Sequence, residues 1–204
     1  MGEDPSTLLT GLNVLVSAVA VAVVSIGIKV QQYYAKKQSD REAMGNIFGI
    51  LGESPHKSAE ESLYNVYKTN GTLMKDGQLD PNRNGPADVV RRNYDQIGAM
   101  MLSRLIPDIE YYRIFGVLTI VSYYILKESI LIERKDHKYY MAHFTNLAID
   151  CFNFWDKQSE EEKPNITDPK GKSLTKEMLG EKIKLPKKIW WKFLQSKQSC
   201  KSNQ

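Results

Sequence analysis

The most constraining feature of this 204-residue chain is a run of uncharged, mostly apolar residues near its N-terminus. No Asp, Glu, Lys or Arg occurs between Asp4 and Lys29, and the stretch from Leu8 to Ile28 is dominated by Leu, Val, Ile and Ala. As a helix, that stretch would be about 30 Å long, which is the thickness of a hydrocarbon core. The run therefore predicts one transmembrane helix over residues 8–30.

Flanking charge predicts the direction in which this helix crosses the bilayer. Basic residues follow the run closely and none precedes it; they are Lys29, Lys36, Lys37 and Arg41. The positive-inside bias therefore places the C-terminal side in the cytoplasm and residues 1–7 outside the cell membrane. A cleavable signal peptide is the main alternative, but Glu3 and Asp4 stand where its basic n-region belongs.

The remainder of the chain has the composition of an all-α globular protein. The full chain has 42% apolar and 25% charged residues, which excludes both a multi-span membrane protein and a wholly disordered chain. Residues 31–52 contain no proline and predict that the spanning helix continues as a cytoplasmic stalk. Residues 53–156 predict a bundle of about four helices. Residues 157–204 are rich in Lys, Glu and Ser, and they predict a mostly disordered basic tail.

Apolar residues at helical spacing define the expected bundle. Ser58-x-x-Glu61 predicts a capped helix to about Thr69, and Pro86 predicts the first turn of the next helix. Two further stripes are expected to be buried: Val90, Tyr94, Ile97, Met101 and Leu105, followed by Tyr140, Phe144, Leu147, Cys151 and Trp155. The run Ile114–Leu126 is too short to span a bilayer and suits a central bundle helix. No strand pair with a hairpin turn is expected.

Three glycines in the predicted stalk share one helix face. Gly45, Gly49 and Gly52 lack side chains, so another helix could approach closely along that face. They do not form a phosphate loop, because no strand precedes them and their spacing matches no nucleotide fingerprint. We expect helix packing at this face, with a plain helix end near Gly52 as the alternative.

The tail contributes the basic character of the chain. Residues 157–204 hold 12 Lys+Arg and 6 Asp+Glu, and residues 186–195 predict a short amphipathic helix. We expect a basic and aromatic segment here to lie at the membrane interface, through Lys182, Lys184, Lys187, Lys188, Trp190, Trp191, Lys192 and Phe193. Docking of its aromatic face on the protein's own bundle or on a partner is one alternative, and nucleic-acid binding is another.

One loop has part of the pattern of a calcium site. Asp80, Asn82 and Asn84 match positions 1, 3 and 5 of an EF-hand loop, and Gly85 matches position 6. Position 12 is Arg91, so a cation stands where the bidentate carboxylate belongs. Because the same residue types build ordinary polar turns, we expect a turn, with metal binding as the alternative. No cofactor is predicted.

No group of residues predicts a reaction. The histidines lack metal spacing, and we expect His56 and His137 to be exposed and His143 to lie at the core edge. Glu60 has the position of a first-turn acid, and Arg91 has that of one member of a charged helix face. We therefore expect no enzyme, with an unrecognised catalytic site as the alternative.

The order of these features resembles an uncharacterised prokaryotic family in which an N-terminal membrane helix precedes a small helical domain. The resemblance rests on Gln31–Tyr34, on Val90–Gly98, and on the last helix with Tyr140, Phe144, Leu147 and Ala148. It covers about residues 10–156 and implies the topology and the fold, with no activity attached.

Together these features predict a single-pass membrane protein with a cytoplasmic helical bundle. The expected role is that of a binding module, adaptor or accessory subunit, whose partners are the bilayer and a protein or a second copy of the chain. A membrane-tethered nucleic-acid binder is the alternative suggested by the basic tail.

Overall fold

The computed structural model describes residues 5–186 of the chain, with their side chains from residue 24 onward. Six α-helices are assigned in that part: α1 Pro5–Gly52, α2 Ser54–Asn70, α3 Asn84–Leu102, α4 Asp108–Glu133, α5 Ala142–Asp156 and the single turn α6 Lys176–Leu179. The prediction of a mostly helical protein is confirmed. The chain divides into two compact units, residues 1–43 and residues 44–204, and the bundle belongs to the second.

The last two turns of α1 belong to the bundle unit and contribute to its core. Met44, Ile47 and Leu51 are all buried. The three glycines lie on a different face of the same turns, and a Cβ atom built on Gly45, Gly49 or Gly52 meets nothing within 4 Å. Helix packing at these glycines stays a prediction, while the apolar side chains of the same turns face the bundle.

The core forms where α3 packs against α2 and α5, and α4 packs against α5. The stripe predicted on α3 is buried from Val90 to Met101, but α3 ends at Leu102, so Leu105 lies outside the helix and is exposed. On α5 the stripe is confirmed at its centre, where Phe144, Leu147 and Cys151 are buried. The aromatic rings at this point belong to three different helices.

Phe144 is the residue that joins these rings. Its ring stacks on Tyr94 of α3 with a centroid separation of 4.9 Å, and it meets Tyr123 of α4 edge-on at 5.4 Å. Such aromatic pairs add about 0.5–1.5 kcal/mol to the free energy that comes from burial alone. The start of α5 is thereby fixed against α3 and α4 together.

A short hairpin corrects the expectation that the chain has no strand pair. Strands β1 (Met74–Lys75) and β2 (Gln78–Leu79) pair antiparallel. The turn between them, Asp76–Gly77, has positive φ at both residues, which is the backbone of a type I′ turn and suits the Asp-Gly sequence. The strands are too short to show alternation in the sequence.

The prediction of a mostly disordered tail is wrong for residues 157–186. Ile166, Leu174 and Leu179 are buried and belong to the hydrophobic core. Backbone polar groups of this segment are satisfied by a turn in which the Asp168 carboxylate accepts from the amides of Lys170 and Lys172, both at 2.9 Å. A few widely spaced apolar residues suffice here because the bundle already supplies the surface that they cover.

Among the residues whose side chains are described, 24–186, helix α4 is long and apolar enough to cross a membrane. The expectation that this helix is too short to span a bilayer was based on the 13-residue run Ile114–Leu126. Because α4 has 26 residues, that argument from length was wrong. These properties support a membrane association only weakly, because 56% of the apolar window is buried inside the protein and a core helix passes the same test. The side chains of the predicted span at residues 8–30 lie mostly outside the described part.

Replacement of Gly98 by alanine should destabilise the bundle. A Cβ at this position of α3 would come within 2.5 Å of the carbonyl oxygen of His143 in α5, so the two helix backbones would have to separate. We expect Gly98→Ala to lower the free energy of unfolding by about 1–3 kcal/mol. Denaturant unfolding of the full chain in detergent, followed by circular dichroism, measures this change.

The matched control is Gly45→Ala, which removes a glycine from a helix at a site with no atom within 4 Å of the new Cβ. It should leave stability unchanged or raise it by up to about 1 kcal/mol. Equal effects of the two substitutions would contradict the close approach of α3 and α5.

Candidate functional site

The strongest concentration of polar side chains inside the bundle surrounds Glu60 of α2. Its Oε1 atom accepts hydrogen bonds from the Tyr94 hydroxyl of α3 at 2.8 Å and from the Ser122 hydroxyl of α4 at 2.5 Å. Tyr94 is fully buried, and its burial raises its pKa well above the ordinary value, so the hydroxyl stays protonated and donates. One carboxylate oxygen therefore connects three helices.

His56 completes this group, which we call the Glu60 cluster: His56, Glu60, Asn93, Tyr94 and Ser122. The His56 side chain is buried, which corrects the expectation that it is exposed. The Asn93 amide lies 3.2 Å from the Nδ1 atom and can only donate to it, so neutral His56 carries its proton on Nε2. That atom has no hydrogen-bond partner in the described part and lies 3.9 Å from Glu60 Oε2.

The electrostatics of the cluster favour a neutral imidazole. Burial lowers the pKa of His56, and the negative charge of Glu60 offsets part of that effect. The ring also meets Tyr94 edge-on at 5.3 Å, which fixes its orientation. Protonation would place a cation next to Glu60 but would remove the acceptor that Asn93 needs. The cluster is thus built around one charge state of His56.

The chemistry open to Glu60 is limited by the contacts that it already makes. Its side chain is about one-fifth exposed, and one of its two oxygens is occupied by two hydroxyl donors. Its other oxygen, Oε2, lies 3.9 Å from the Nε2 atom of His56. The arrangement is that of a clamp holding α2 to α3 and α4, and it differs from the first-turn acid expected from the sequence.

A second polar group holds the start of α5. The Asp95 carboxylate accepts from the Phe144 backbone amide at 3.0 Å. The Arg134 guanidinium donates to the carbonyl oxygens of Tyr140 and Met141 at 2.8 and 2.9 Å, and also to the Thr145 hydroxyl. Burial raises the pKa of Asp95, an effect that the Phe144 hydrogen bond opposes. These contacts support a backbone that turns through a left-handed residue at Met141.

A solvent-exposed cleft lies away from both polar groups. It has a volume of about 550 Å³ and is open to solvent between the end of α5 and the segment that follows it. Its lining is mostly polar, with Asp156, Glu160, Lys163, Lys176 and Glu177 among the residues at its wall. An ion pair of 3.1 Å between Lys163 and Asp156 neutralises part of this charge.

The calcium-like residues form a turn in the described structure. The Asp80 Oδ1 atom accepts from the backbone amide of Asn82 at 3.0 Å and caps a short 3-10 helix, Pro81–Arg83. Asn84 begins α3. Within residues 5–186, no group of three or more His, Cys, Asp or Glu side chains is placed to hold a metal ion.

Two of the expected membrane-interface residues can be placed. Lys182 pairs with the Asp150 carboxylate of α5, and Lys184 is exposed. The other members, Lys187, Lys188, Trp190, Trp191, Lys192 and Phe193, lie outside the described residues, as does most of the amphipathic helix expected at residues 186–195. The membrane-interface role of the segment stays a prediction.

Arg91, which was expected to be one member of a charged helix face, is buried. Its guanidinium pairs with Asp88 at 2.5 Å and lies 5.6 Å from the centre of the Tyr140 ring. For both Arg91 and the Glu60 cluster, the available signal was spacing: Asp88 precedes Arg91 by three residues, and His56 precedes Glu60 by four. Such spacing shows that two side chains meet, but it does not show whether they face solvent.

Comparison with protein-family models, with curated proteins and with solved structures finds no match to this chain. The resemblance to an uncharacterised prokaryotic family therefore stays an expectation from the sequence.

Loss of the Glu60 carboxylate should weaken the bundle strongly. Glu60→Ala leaves the buried hydroxyls of Tyr94 and Ser122 without their acceptor, and each unsatisfied buried group costs about 1–3 kcal/mol. We expect the free energy of unfolding to fall by about 2–4 kcal/mol. The neighbouring Glu61 is exposed, so Glu61→Ala is the control and should change stability by less than about 0.5 kcal/mol. Equal losses would show that Glu60 is not a clamp.

The lowered pKa of His56 predicts a pH dependence of stability. The unfolded chain takes up a proton near pH 6.5, whereas folded His56 takes it up only at lower pH, so unfolding is favoured as pH falls below 6.5. The full contribution of His56 is present above its unfolded pKa. The free energy of unfolding that His56 contributes changes by at most about 1.4 kcal/mol per pH unit.

Denaturant unfolding between pH 7.5 and pH 5.5 measures this slope. His56→Gln should flatten it relative to the unmodified chain, whereas His137→Gln, at an exposed site, should leave it unchanged. Other groups, including Asp95, titrate in both variants and cancel in the comparison. An unchanged slope in His56→Gln would contradict the assignment.

Proposed function

We propose that the chain is a single-pass membrane protein whose helical bundle acts as a non-catalytic binding module, adaptor or accessory subunit. The observation that carries this proposal is α1. It is one helix of 48 residues, Pro5–Gly52, and it includes the whole charge-free run from Leu8 to Ile28. A helix of this composition needs an apolar environment along the run, and a bilayer supplies one.

The described side chains at the end of that run support the same proposal. Val24, Ile26, Ile28 and Val30 are between 47% and 62% exposed, so the described chain does not cover them. Tyr33 and Tyr34 follow, both more than 60% exposed, at the position where aromatic side chains favour the headgroup region. Lys36, Lys37 and Arg41 come next and favour the cytoplasmic side.

A binding role is supported by the way the bundle uses its side chains. The carboxylate of Glu60 is engaged by helix contacts, so the best-formed polar cluster serves the fold. Meanwhile Ile114 and Leu118, one turn apart on α4, are each 51% exposed, as is Phe48 on α1. Exposed apolar side chains of this kind are more useful for contact with a protein than for chemistry.

The topology can be tested by labelling thiols with a membrane-impermeant maleimide. The thiol of Cys151 is buried, so Cys200 in the tail is the natural reporter, and Cys200→Ser is its control. We expect Cys200 to react only after the cells are permeabilised, because the positive-inside bias places the tail in the cytoplasm. A cysteine introduced by Ser6→Cys should react in intact cells.

Fractionation of the same cells tests the anchor itself. The chain should stay with the membranes during alkaline extraction and enter solution only with detergent, because the span is held by its apolar surface. Labelling of Cys200 in intact cells would overturn the orientation, and release by alkali would overturn the anchor.

A further inference from the structure

The order of contacts along α4 shows at which end the chain enters the bundle. Phe48, near the end of α1, meets Phe115 edge-on at 5.0 Å, and further along both partners Glu60 of α2 accepts from the Ser122 hydroxyl. Because the residue numbers rise together, the chain from residue 44 onwards runs beside α4 in the same direction. It therefore enters the bundle unit at the end where α4 begins.

The connection between α3 and α4 lies at that end and carries apolar side chains that the bundle does not cover. Leu102 ends α3, Leu105 lies in the connection and Ile109 lies in the first turn of α4, and these side chains are 40%, 49% and 55% exposed. Ile106 is buried, and the Leu105 amide donates to the carbonyl oxygen of Met100 at 3.0 Å. The connection is thus held in place while the other three side chains face outwards. We call Leu102, Leu105 and Ile109 the entry-end patch.

Exposed aliphatic side chains are unevenly distributed along the bundle. Within residues 44–186, the exposed Leu, Ile and Val side chains outside the patch are Ile114, Leu118 and Leu131. Ile114 and Leu118 belong to the half of α4 that is nearer the patch, and Leu131 lies near the other end of the helix. The exposed aliphatic surface of the bundle is therefore concentrated at the end where the chain enters.

The length of chain before the bundle limits how far the patch can lie from a bilayer. The charge-free run ends at Ile28, and Met44 is the first residue of the bundle unit. Residues 29–43 lie between them, and 15 residues of α-helix are about 22 Å long. The entry end is thus held within about 22 Å of the point where the run ends. The opposite end of the bundle is separated from the patch by the length of α4, which at 26 residues is about 39 Å.

The charge and the area of the patch favour lipid over a protein partner. Arg104 and Arg113 are exposed beside it, as are Asp108 and Glu110, so the local charge is balanced. Three half-exposed side chains offer far less than the area of about 800 Å² that each partner of a stable protein complex buries. A bilayer contact needs neither a large area nor a net charge, because the anchor already holds the patch nearby and raises its effective concentration.

We propose that the entry-end patch inserts into the headgroup layer of the bilayer that the charge-free run spans. The proposal rests on the membrane anchor proposed above, and it adds a second membrane contact that belongs to the bundle itself. Because its attraction is apolar, the contact is insensitive to salt and to the fraction of anionic lipid, unlike the contact of a basic segment.

Fluorescence quenching of the full chain in nanodiscs tests the proposal. A bimane label is attached to Ser103→Cys in the connection or to Lys135→Cys beyond the other end of α4, which replace exposed residues in a Cys200→Ser background. Cys151 is buried and does not take up the label. Lipids that carry a nitroxide on the headgroup should quench the label at position 103 several-fold more strongly than the label at position 135. The difference should persist in neutral and anionic lipid, at low and at moderate salt.

A pair of matched variants shows whether the patch causes this quenching. Leu105→Asp should reduce the quenching at position 103 several-fold, whereas Leu131→Asp alters a side chain of similar exposure at the other end of α4 and should leave it unchanged. Equal quenching at the two label positions, or quenching that Leu105→Asp does not alter while helicity is retained, would overturn the proposal and leave the anchor intact. A blue-shifted label at position 103 that the nitroxide lipids do not quench would assign the patch to a protein contact instead. Release of the chain by alkali would overturn both the anchor and this contact.

Discussion

Phe144 lies at the start of α5 between two tyrosine rings, stacked on Tyr94 of α3 and edge-on to Tyr123 of α4. Its backbone amide is held by Asp95, and the next turn of α3 carries Gly98, which allows the two backbones to approach. The position of α5 follows from these contacts. Because Leu179 contacts Tyr123 of α4 and Ile183 is bonded to Asn146 of α5, the course of the later chain depends on the same contacts.

The polar cluster around Glu60 fixes the position of α2 against α3 and α4, as the contacts of Phe144 fix the position of α5. It also shows a cost of using charge inside a small bundle. A partly buried carboxylate is stabilising only while its partners are present, so Tyr94 and Ser122 must both stay in place. An apolar residue at position 60 would not require a particular alignment of three helices. The cluster thus specifies how the helices are aligned, which hydrophobic burial alone does not do.

The parts of the fold that could be predicted from the sequence are those with a sustained helical period. The stripe from Val90 to Met101 and the centre of α5 recur every three or four residues, and burial of one face is the only arrangement that explains such a pattern. The first residue of α2 was harder to predict. A capping box at Ser58 suggested that Glu60 belongs to a first turn, but the helix begins at Ser54 with Pro55 in its first turn. Because α2 begins four residues earlier than predicted, His56 and Glu60 lie within the helix and contact α3 and α4.

Features that depend on contacts between distant parts of the chain gave no periodic signal. Ile166, Leu174 and Leu179 are widely spaced in a mostly polar segment, and only their place in the core of the folded bundle shows why they are buried. The partners of Glu60 are 34 and 62 residues away in the sequence. The membrane-interface segment could be described only by composition, and composition alone does not distinguish binding to a bilayer from binding to a protein surface.

The burial of Leu179 also sets a limit on how the bundle can be divided. A fragment that stops at residue 156, where the helical pattern ends, would keep all the long helices but would lose Ile166, Leu174 and Leu179 from the core. The surfaces of α4 and α5 that contact α6 would then face water. Such a fragment would tend to self-associate, and oligomers observed with it would report the missing segment rather than a property of the intact protein.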